Sequence, residues 1–130
     1  MRHRVFCLSA SIALFVAASA AGQTPKAAAL KNPVASTPAS VATGQQVYQR
    51  QCRTCHGASG KADTPVAKRM NASDLTDATW THGASDGEIF TVIRDGAGPQ
   101  STMKPFKDKI SDQDAWHLVN YIRSLAGATK

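Results

Sequence analysis

The segment Cys52-Arg53-Thr54-Cys55-His56 constrains the fold of this chain most, because it places two thiols and an imidazole within five residues. Such a grouping serves in a thioredoxin-like redox pair, in half of a zinc site, or as the attachment point of a prosthetic group. A redox pair of this kind is expected in a βαβ unit, yet no stretch of the sequence shows the strict alternation of a strand. A zinc site needs further ligands, and His82 and His117 lack the paired spacing that would supply them.

The third reading is favoured, since Cys-x-x-Cys-His is the attachment signature of a c-type haem. The thiols of Cys52 and Cys55 add across the two vinyl groups of the porphyrin, and a two-residue spacer at the end of a helix matches the separation of those groups. His56 then lies under the iron as its proximal ligand. We therefore predict a single haem c that is bound covalently through Cys52 and Cys55 and ligated by His56.

Residues 1–21 have the organisation of a secretory signal peptide. Arg2 and Arg4 form a basic start, residues 5–16 are almost wholly apolar, and Ala18-Ser19-Ala20 is a typical cleavage pattern. Cleavage would leave two cysteines in the mature chain, which is too few for a disulfide scaffold. The apolar stretch is also close to the shortest length that spans a membrane, so an uncleaved anchor is the alternative. We expect a periplasmic protein, or one anchored to the membrane by this segment.

Residues 22–42 are rich in Ala, Pro, Ser and Thr, and their prolines recur without apolar periodicity between them. Because such a composition cannot bury a core, we expect an extended, mobile linker, which is either a spacer or a terminus without a role. The folded unit is then residues 43–130, fewer than 90 residues. A chain this short builds a thin core, for which a buried prosthetic group is an obvious staple.

Helical signals are spread through this unit, and we predict an all-α fold with three main helices. The first covers roughly residues 43–53, with Thr43 as its candidate N-cap. The second follows Ser85, which can form a capping box with Glu88, and it ends at Gly96.

The third main helix begins after Ser111 and ends at Gly127. Its apolar stripe has the spacing of one helical face and consists of Ala115, Leu118, Ile122 and Leu125. A shorter helix is expected over residues 64–70, with Pro65 in the first helical position.

The chain from Gly44 to its end resembles a class I cytochrome c domain of a bacterial periplasmic type. Gly44 and Tyr48 precede Cys52 by eight and four residues, as the small and aromatic residues of the family's N-terminal helix do. Leu118 and Tyr121 fall where the family's C-terminal helix packs across it, and a glycine at this crossing lets two backbones approach closely. The resemblance implies a small all-α fold in which three main helices surround one covalently bound haem.

The resemblance also implies a methionine as the sixth iron ligand, in the loop before the C-terminal helix. Met103 lies in such a loop, which Gly98 and Pro105 keep out of a helix. Met70 is the other candidate, but it follows too soon after His56. We therefore expect His56 and Met103 to be the two axial ligands of the iron.

Two further residues take expected roles from the resemblance. The carbonyl oxygen of Pro65 is expected to accept the hydrogen bond that Nδ1–H of His56 donates, which would fix the ring. Trp80 is expected to line the haem and donate its indole N–H to a propionate, with a plain core position as the alternative. His82 and His117 are expected to be solvated or satisfied histidines and not iron ligands.

A six-coordinate iron with His/Met ligation is closed to substrate, so we predict one-electron transfer by an electron carrier that is not an enzyme. The expected partners are redox proteins, namely an oxidase, a dehydrogenase or another cytochrome; no nucleic acid is expected, and the carrier is expected to be a monomer. One alternative is a haem-based sensing domain in which a gas displaces Met103. Another is a domain of a larger oxidase or dehydrogenase complex. Lys104, Lys107 and Lys109 flank the ligand loop and would steer the domain towards an acidic patch on its partner.

Overall fold

Residues 25–77 and 79–127 are described in the computed structural model, and the predicted signal peptide over residues 1–21 lies outside them. The described chain contains helices and no strand, so the all-α prediction is confirmed. The helices are α1 (Pro25–Ala29), α2 (Pro38–Gln51), α3 (Arg53–His56), α4 (Pro65–Met70), α5 (Asp86–Asp95) and α6 (Asp112–Gly127). Within these described ranges no helix has the length and apolar character that crossing a membrane requires.

The two longest helices, α2 and α6, cross at Gly44, as the sequence predicts. A β-carbon built on Gly44 would lie 2.0 Å from the carbonyl oxygen of His117 in α6, so a larger residue cannot fit without a backbone shift. Next to the crossing, Tyr48 and Leu118 are almost completely buried, and the ring centres of Tyr48 and Tyr121 lie 5.1 Å apart. This packing fixes the end of α2, directly before Cys52.

Helix α5 begins and ends where its local signals place it. The N–H of Glu88 donates to the hydroxyl oxygen of Ser85 at 3.2 Å, and the N–H of Ser85 donates to the Glu88 carboxylate at 2.9 Å, which completes the capping box. Gly96 follows the last turn with a φ of +81°. Phe90 stacks on Trp116 of α6 with ring centres 3.8 Å apart, so α5 is joined to the α2–α6 pair.

The predicted starts of α4 and α6 are also confirmed. The hydroxyl oxygen of Thr64 accepts the N–H of Ala67 at 3.1 Å, and Pro65 occupies the first helical position. The hydroxyl oxygen of Ser111 accepts the N–H of Asp114 at 3.0 Å. Each cap satisfies a backbone donor that the helix itself leaves without a partner.

Helix α2 begins at Pro38 and not at Thr43, which corrects the start predicted from the sequence. Thr37 is the N-cap, and its hydroxyl oxygen accepts the N–H of Ser40 at 3.1 Å. Thr43 lies inside the helix, where its hydroxyl donates to the carbonyl oxygen of Ala39 at 3.1 Å. Both threonines have a capping side chain, but Pro38 favours the earlier start because its fixed φ and missing N–H suit the first helical turn.

Residues 25–37 differ from the extended linker that their composition indicates, since they contact the helical core. The side-chain N–H of Asn32 donates to Oδ1 of Asn120 in α6 at 2.8 Å, and Asn120 donates to the carbonyl oxygen of Val34 at 3.1 Å. Ala27 of α1 is buried where α1 packs against α5. The hydrogen bonds that hold this segment are made by asparagine side chains. A search of the sequence for apolar periodicity therefore does not reveal them.

Candidate functional site

A cavity of about 590 Å³ opens beside the helical core. Its walls come from the end of α2 with α3, from α5, and from the loops that follow α4 and α5. The volume lies within the range of about 300–1,000 Å³ that is typical of cofactor and small-molecule pockets. The larger apolar side chains of its lining are Leu75, Trp80, Ile89, Val92, Met103 and Phe106, together with Met70.

Both cysteines of the Cys-x-x-Cys-His segment line this cavity as free thiols. The backbone N–H of Cys52 donates to the carbonyl oxygen of Tyr48 at 2.9 Å, and the N–H of His56 donates to the carbonyl oxygen of Cys52 at 2.9 Å. These bonds hold the segment in a short helical turn against the cavity. Burial, together with the neighbouring Cys55, raises the pKa of the Cys52 thiol to about 12, so the free thiol is protonated at neutral pH.

The imidazole of His56, which also lines the cavity, is oriented by a hydrogen bond at Nδ1. This nitrogen lies 2.9 Å from the carbonyl oxygen of Ser73. Because a carbonyl oxygen only accepts, Nδ1 carries a proton in this arrangement. In the neutral form of the ring Nε2 is then the nitrogen that could bind a metal, and the backbone partner fixes the orientation of the ring.

The partner of His56 is thus Ser73, which corrects the expectation for Pro65. Pro65 is exposed at the start of α4 and lies outside the cavity lining. The carbonyl of a first helical residue points along the helix towards the fourth residue that follows, so it is turned away from a ring outside the helix. Ser73 contributes a main-chain oxygen, and for that reason no side-chain pattern in the sequence reveals it.

Both methionines of the described chain line the cavity. Met103 is half-buried and packs against the core, whereas Met70, the last residue of α4, is 37% exposed. The hydroxyl of Thr102 donates to the carbonyl oxygen of Met70 at 2.7 Å, so the two segments that carry the methionines touch. Distance along the chain from His56 therefore does not remove Met70 from the site, and burial is what favours Met103.

The loop between α5 and α6 holds Met103 in irregular backbone, as the sequence indicates. The N–H of Met103 donates to the hydroxyl oxygen of Ser101 at 3.1 Å, and its carbonyl oxygen accepts the N–H of Ala97 at 3.2 Å. The base of the loop is attached to α5, because the N–H of Phe106 donates to the carbonyl oxygen of Ile93 at 3.1 Å. The backbone around Met103 is therefore defined by bonds within the loop and at its base.

Trp80 and His82 also lie in the cavity wall. Trp80 is half-buried, and the guanidinium of Arg123 lies 6.0 Å from its ring centre. A hydrogen bond from its indole to a propionate stays a prediction. His117 lies outside the cavity lining, and its Nδ1 is 2.8 Å from the hydroxyl oxygen of Ser40, so it is a satisfied histidine.

The three lysines near the ligand loop are all exposed. Lys104 and Lys109 belong to the cavity lining, and Lys107 lies between them in the sequence. The ammonium group of Lys104 donates to the carbonyl oxygen of Ser101 at 3.0 Å, and that of Lys109 lies 5.2 Å from the ring centre of Phe106. Positive charge therefore borders the cavity on the side of this loop.

Three main helices frame the fold, and the Cys-x-x-Cys-His turn lies at a cofactor-sized cavity. This arrangement defines a class I cytochrome c domain, which is an electron carrier that uses haem. Residues 39–122 match the family described as "Cytochrome C oxidase, cbb3-type, subunit III", and the chain belongs to this family.

Individual relatives and solved structures agree with this assignment. The Cbb3-type cytochrome c oxidase subunit FixPc of Rhizobium leguminosarum bv. viciae is 33% identical over 97 residues, which are 72% of this chain and 31% of the relative. The chain spans only 27–31% of the length of the first curated relatives that it matches.

Among solved structures, the KustC0563 c-type cytochrome has a TM-score of 0.55 at 32% identity, covering 63% of this chain and 95% of that one. A chain of the Kuenenia stuttgartiensis reducing HAO-like protein complex Kustc0457/Kustc0458 has a TM-score of 0.66 at 25% identity. The match covers 72% of this chain and 46% of that one. The shared part is therefore the cytochrome c domain.

Proposed function

We propose that this domain carries one electron at a time on a single haem c, attached through Cys52 and Cys55 and ligated by His56 and Met103. The observation that carries the proposal is the hydrogen bond between His56 and Ser73, which engages Nδ1 and leaves Nε2 available to an iron in the cavity that both thiols line. A zinc centre would need at least three ligands together. The described residues contain no such group of His, Cys, Asp and Glu side chains.

The groups around the cavity suit haem c in chemical type. Two thiols suit two thioether bonds, and an imidazole nitrogen with a methionine sulfur is an axial pair that raises the potential of cytochrome c iron. When bound, the haem supplies a centre that alternates between the ferric and ferrous states.

The role of the polypeptide is to hold both ligands and to exclude water. His56 is held through Nδ1, and Met103 is held by the bonds of its loop to Ser101 and Ala97. The apolar part of the wall would shield a bound haem from water and lower the local polarity, which influences the redox potential. A fixed ligand pair in apolar surroundings also changes little in geometry when one electron arrives or leaves.

We further propose that the redox partner is an oxidase of the cbb3 type. Support comes from the relatives, which are named as subunits of such oxidases, and from the family match over residues 39–122. Because the match covers less than a third of each of those relatives, this chain would act either as one domain of a complex or as a separate monomeric carrier. The signal-like sequence over residues 1–21 supports a periplasmic location, with the anchored form as its alternative.

A potentiometric titration of the purified holoprotein, followed by absorption, tests this function. We expect one reversible one-electron transition and a ferrous spectrum that carbon monoxide leaves unchanged, because Met103 occupies the sixth position. Two transitions would show more than one haem. Rapid binding of carbon monoxide would instead favour a sensing domain with an open sixth position.

A further inference from the structure

We propose that Thr102 is a positioning residue that latches the loop of Met103 to the end of α4 and so sets how often this loop opens. The inference rests on the proposed function, since it takes Met103 as the distal ligand. Its main observation is the 2.7 Å hydrogen bond from the hydroxyl of Thr102 to the carbonyl oxygen of Met70.

This bond joins two different walls of the cavity. Met70 ends α4, whereas Thr102 belongs to the loop after α5, and the two residues are 32 positions apart in the sequence. Both residues line the cavity, and Thr102 directly precedes Met103. A change at this bond therefore acts one residue away from the proposed ligand.

The acceptor is a carbonyl that α4 itself leaves without a helical partner. The last carbonyls of a helix lack the N–H groups of a following turn. Here Asn71 adopts the left-handed conformation with a φ of +49°, and the N–H of Ala72 turns back to the carbonyl oxygen of Ala67 at 3.0 Å. The chain therefore leaves the helix axis after Met70, and Thr102 supplies the donor that its carbonyl lacks.

The other bonds of the loop do not replace this latch. The bonds from Phe106 to Ile93 and from Ala97 to the carbonyl of Met103 hold the loop near the end of α5, and the bond between Met103 and Ser101 lies within the loop. None of these three bonds joins the loop to α4. Loss of the Thr102 bond thus loosens the loop from α4 and leaves its contacts at the end of α5 in place.

This hydrogen bond is exposed to water, and such a bond contributes only modestly to stability. Breaking it therefore costs little free energy. When the loop moves away from α4, Met103 would be withdrawn from the haem site, and an external ligand would take its place. An external ligand binds only the open form, so its apparent affinity increases with the fraction of molecules that are open.

Imidazole titrations of the ferric holoprotein, followed by absorption, measure this fraction. Thr102→Val keeps the shape of the side chain and removes the donor, and we expect it to bind imidazole between about twofold and tenfold more tightly than the wild type. Thr102→Ser keeps the hydroxyl and should behave like the wild type. The matched control is Thr43→Val, which removes a hydroxyl bond to the carbonyl of Ala39 in α2, outside the cavity lining.

Amide hydrogen exchange of the same holoproteins gives a readout that is independent of redox activity. Residues 98–104 should exchange faster in Thr102→Val, whereas peptides of α2 should not. Equal imidazole affinity in Thr102→Val and the wild type would overturn the latch, and so would an equal gain in Thr43→Val.

The proposed function fails at a different point of the experiment. It fails if the wild-type ferric protein lacks the absorption band of methionine–iron ligation before any imidazole is added. The latch alone fails if that band is present and Thr102→Val binds imidazole no more tightly than the wild type.

Discussion

Nδ1 of His56 lies 2.9 Å from the carbonyl oxygen of Ser73, so residues 17 positions apart decide which nitrogen of the imidazole stays free. The short helix α3 places the ring, and the segment after α4 orients it. That segment is held in turn by the bond from the N–H of Leu75 to the carbonyl oxygen of Gly60 at 2.8 Å. Backbone contacts thus orient the imidazole of His56 beside the two thiols.

Replacement of the proposed distal ligand should change the electronic state of the haem. Met103→Ala is expected to abolish the methionine–iron absorption band and to lower the midpoint potential markedly, because a thioether favours ferrous iron. Met70→Ala is the matched control, since Met70 lines the same cavity but is more exposed, and it should leave spectrum and potential nearly unchanged. The reverse pattern in a redox-titrated absorption series would assign the ligand to Met70.

The crossing of α2 and α6 should not tolerate a side chain at residue 44. Gly44→Ala places a β-carbon 2.0 Å from the carbonyl oxygen of His117. We expect a loss of about 1–3 kcal/mol in the free energy of unfolding, the usual range for overpacking. Gln46→Ala, on the exposed face of the same helix, should stay within about 0.5 kcal/mol of the wild type in the same denaturant titration. A Gly44→Ala protein as stable as that control would show that the two helices separate at little cost.

The capping box of α5 should contribute to stability in a pH-dependent way. The N–H and the hydroxyl of Ser85 donate to the Glu88 carboxylate at 2.9 and 2.8 Å and hold its pKa below the ordinary value. A lowered folded-state pKa gives stability above the ordinary value of about 4.3, and this stability is lost as pH falls through the folded-state pKa.

Glu88→Gln should therefore be most destabilising near neutral pH and should approach the wild type as pH falls below about 4. Urea unfolding across this pH range checks it. Asp108→Asn, at an exposed carboxylate, serves as the control for loss of a charge. A difference between Glu88→Gln and the wild type that does not vary with pH would contradict the assignment to Glu88.

The lysines beside the cavity should act on the rate of encounter with a redox partner. Lys107→Glu and Lys109→Glu avoid Lys104, whose bond to Ser101 belongs to the ligand loop. We expect both reversals to slow stopped-flow electron transfer to a cbb3-type oxidase at low ionic strength, and the difference to shrink with salt, since the Debye length is about 8 Å at 0.15 M. Lys31→Glu, exposed and outside the cavity lining, should have little effect. Rates that depend neither on salt nor on the reversals would make these lysines ordinary surface residues.

Features that arise from neighbouring residues could be predicted from the sequence itself, and the Ser85–Glu88 capping box is one of them. The crossing at Gly44 joins distant residues, and it is predicted from the resemblance to class I cytochrome c domains and not from local spacing. The bond between Asn32 and Asn120 joins polar atoms of residues that are 88 positions apart, so no hydrophobic pattern in the sequence predicts it.

The hydrogen-bond partner that orients His56 could not be predicted from the sequence for a related reason. Its partner is a main-chain oxygen that every residue type carries, and only the path of the chain after α4 brings Ser73 to the ring. The latch from Thr102 to Met70 has the same character, because its acceptor is also a backbone carbonyl.

Covalent attachment of the haem can be tested by the intact mass of the protein, purified from a host that matures c-type cytochromes and denatured in acid. We expect a polypeptide heavier by one haem, with the haem retained on the peptide that contains Cys52 and Cys55. We also expect that His56→Ala prevents a stable holoprotein from accumulating. A wild-type mass equal to that of the bare polypeptide would contradict covalent attachment, and with it the proposal that this domain is a c-type electron carrier.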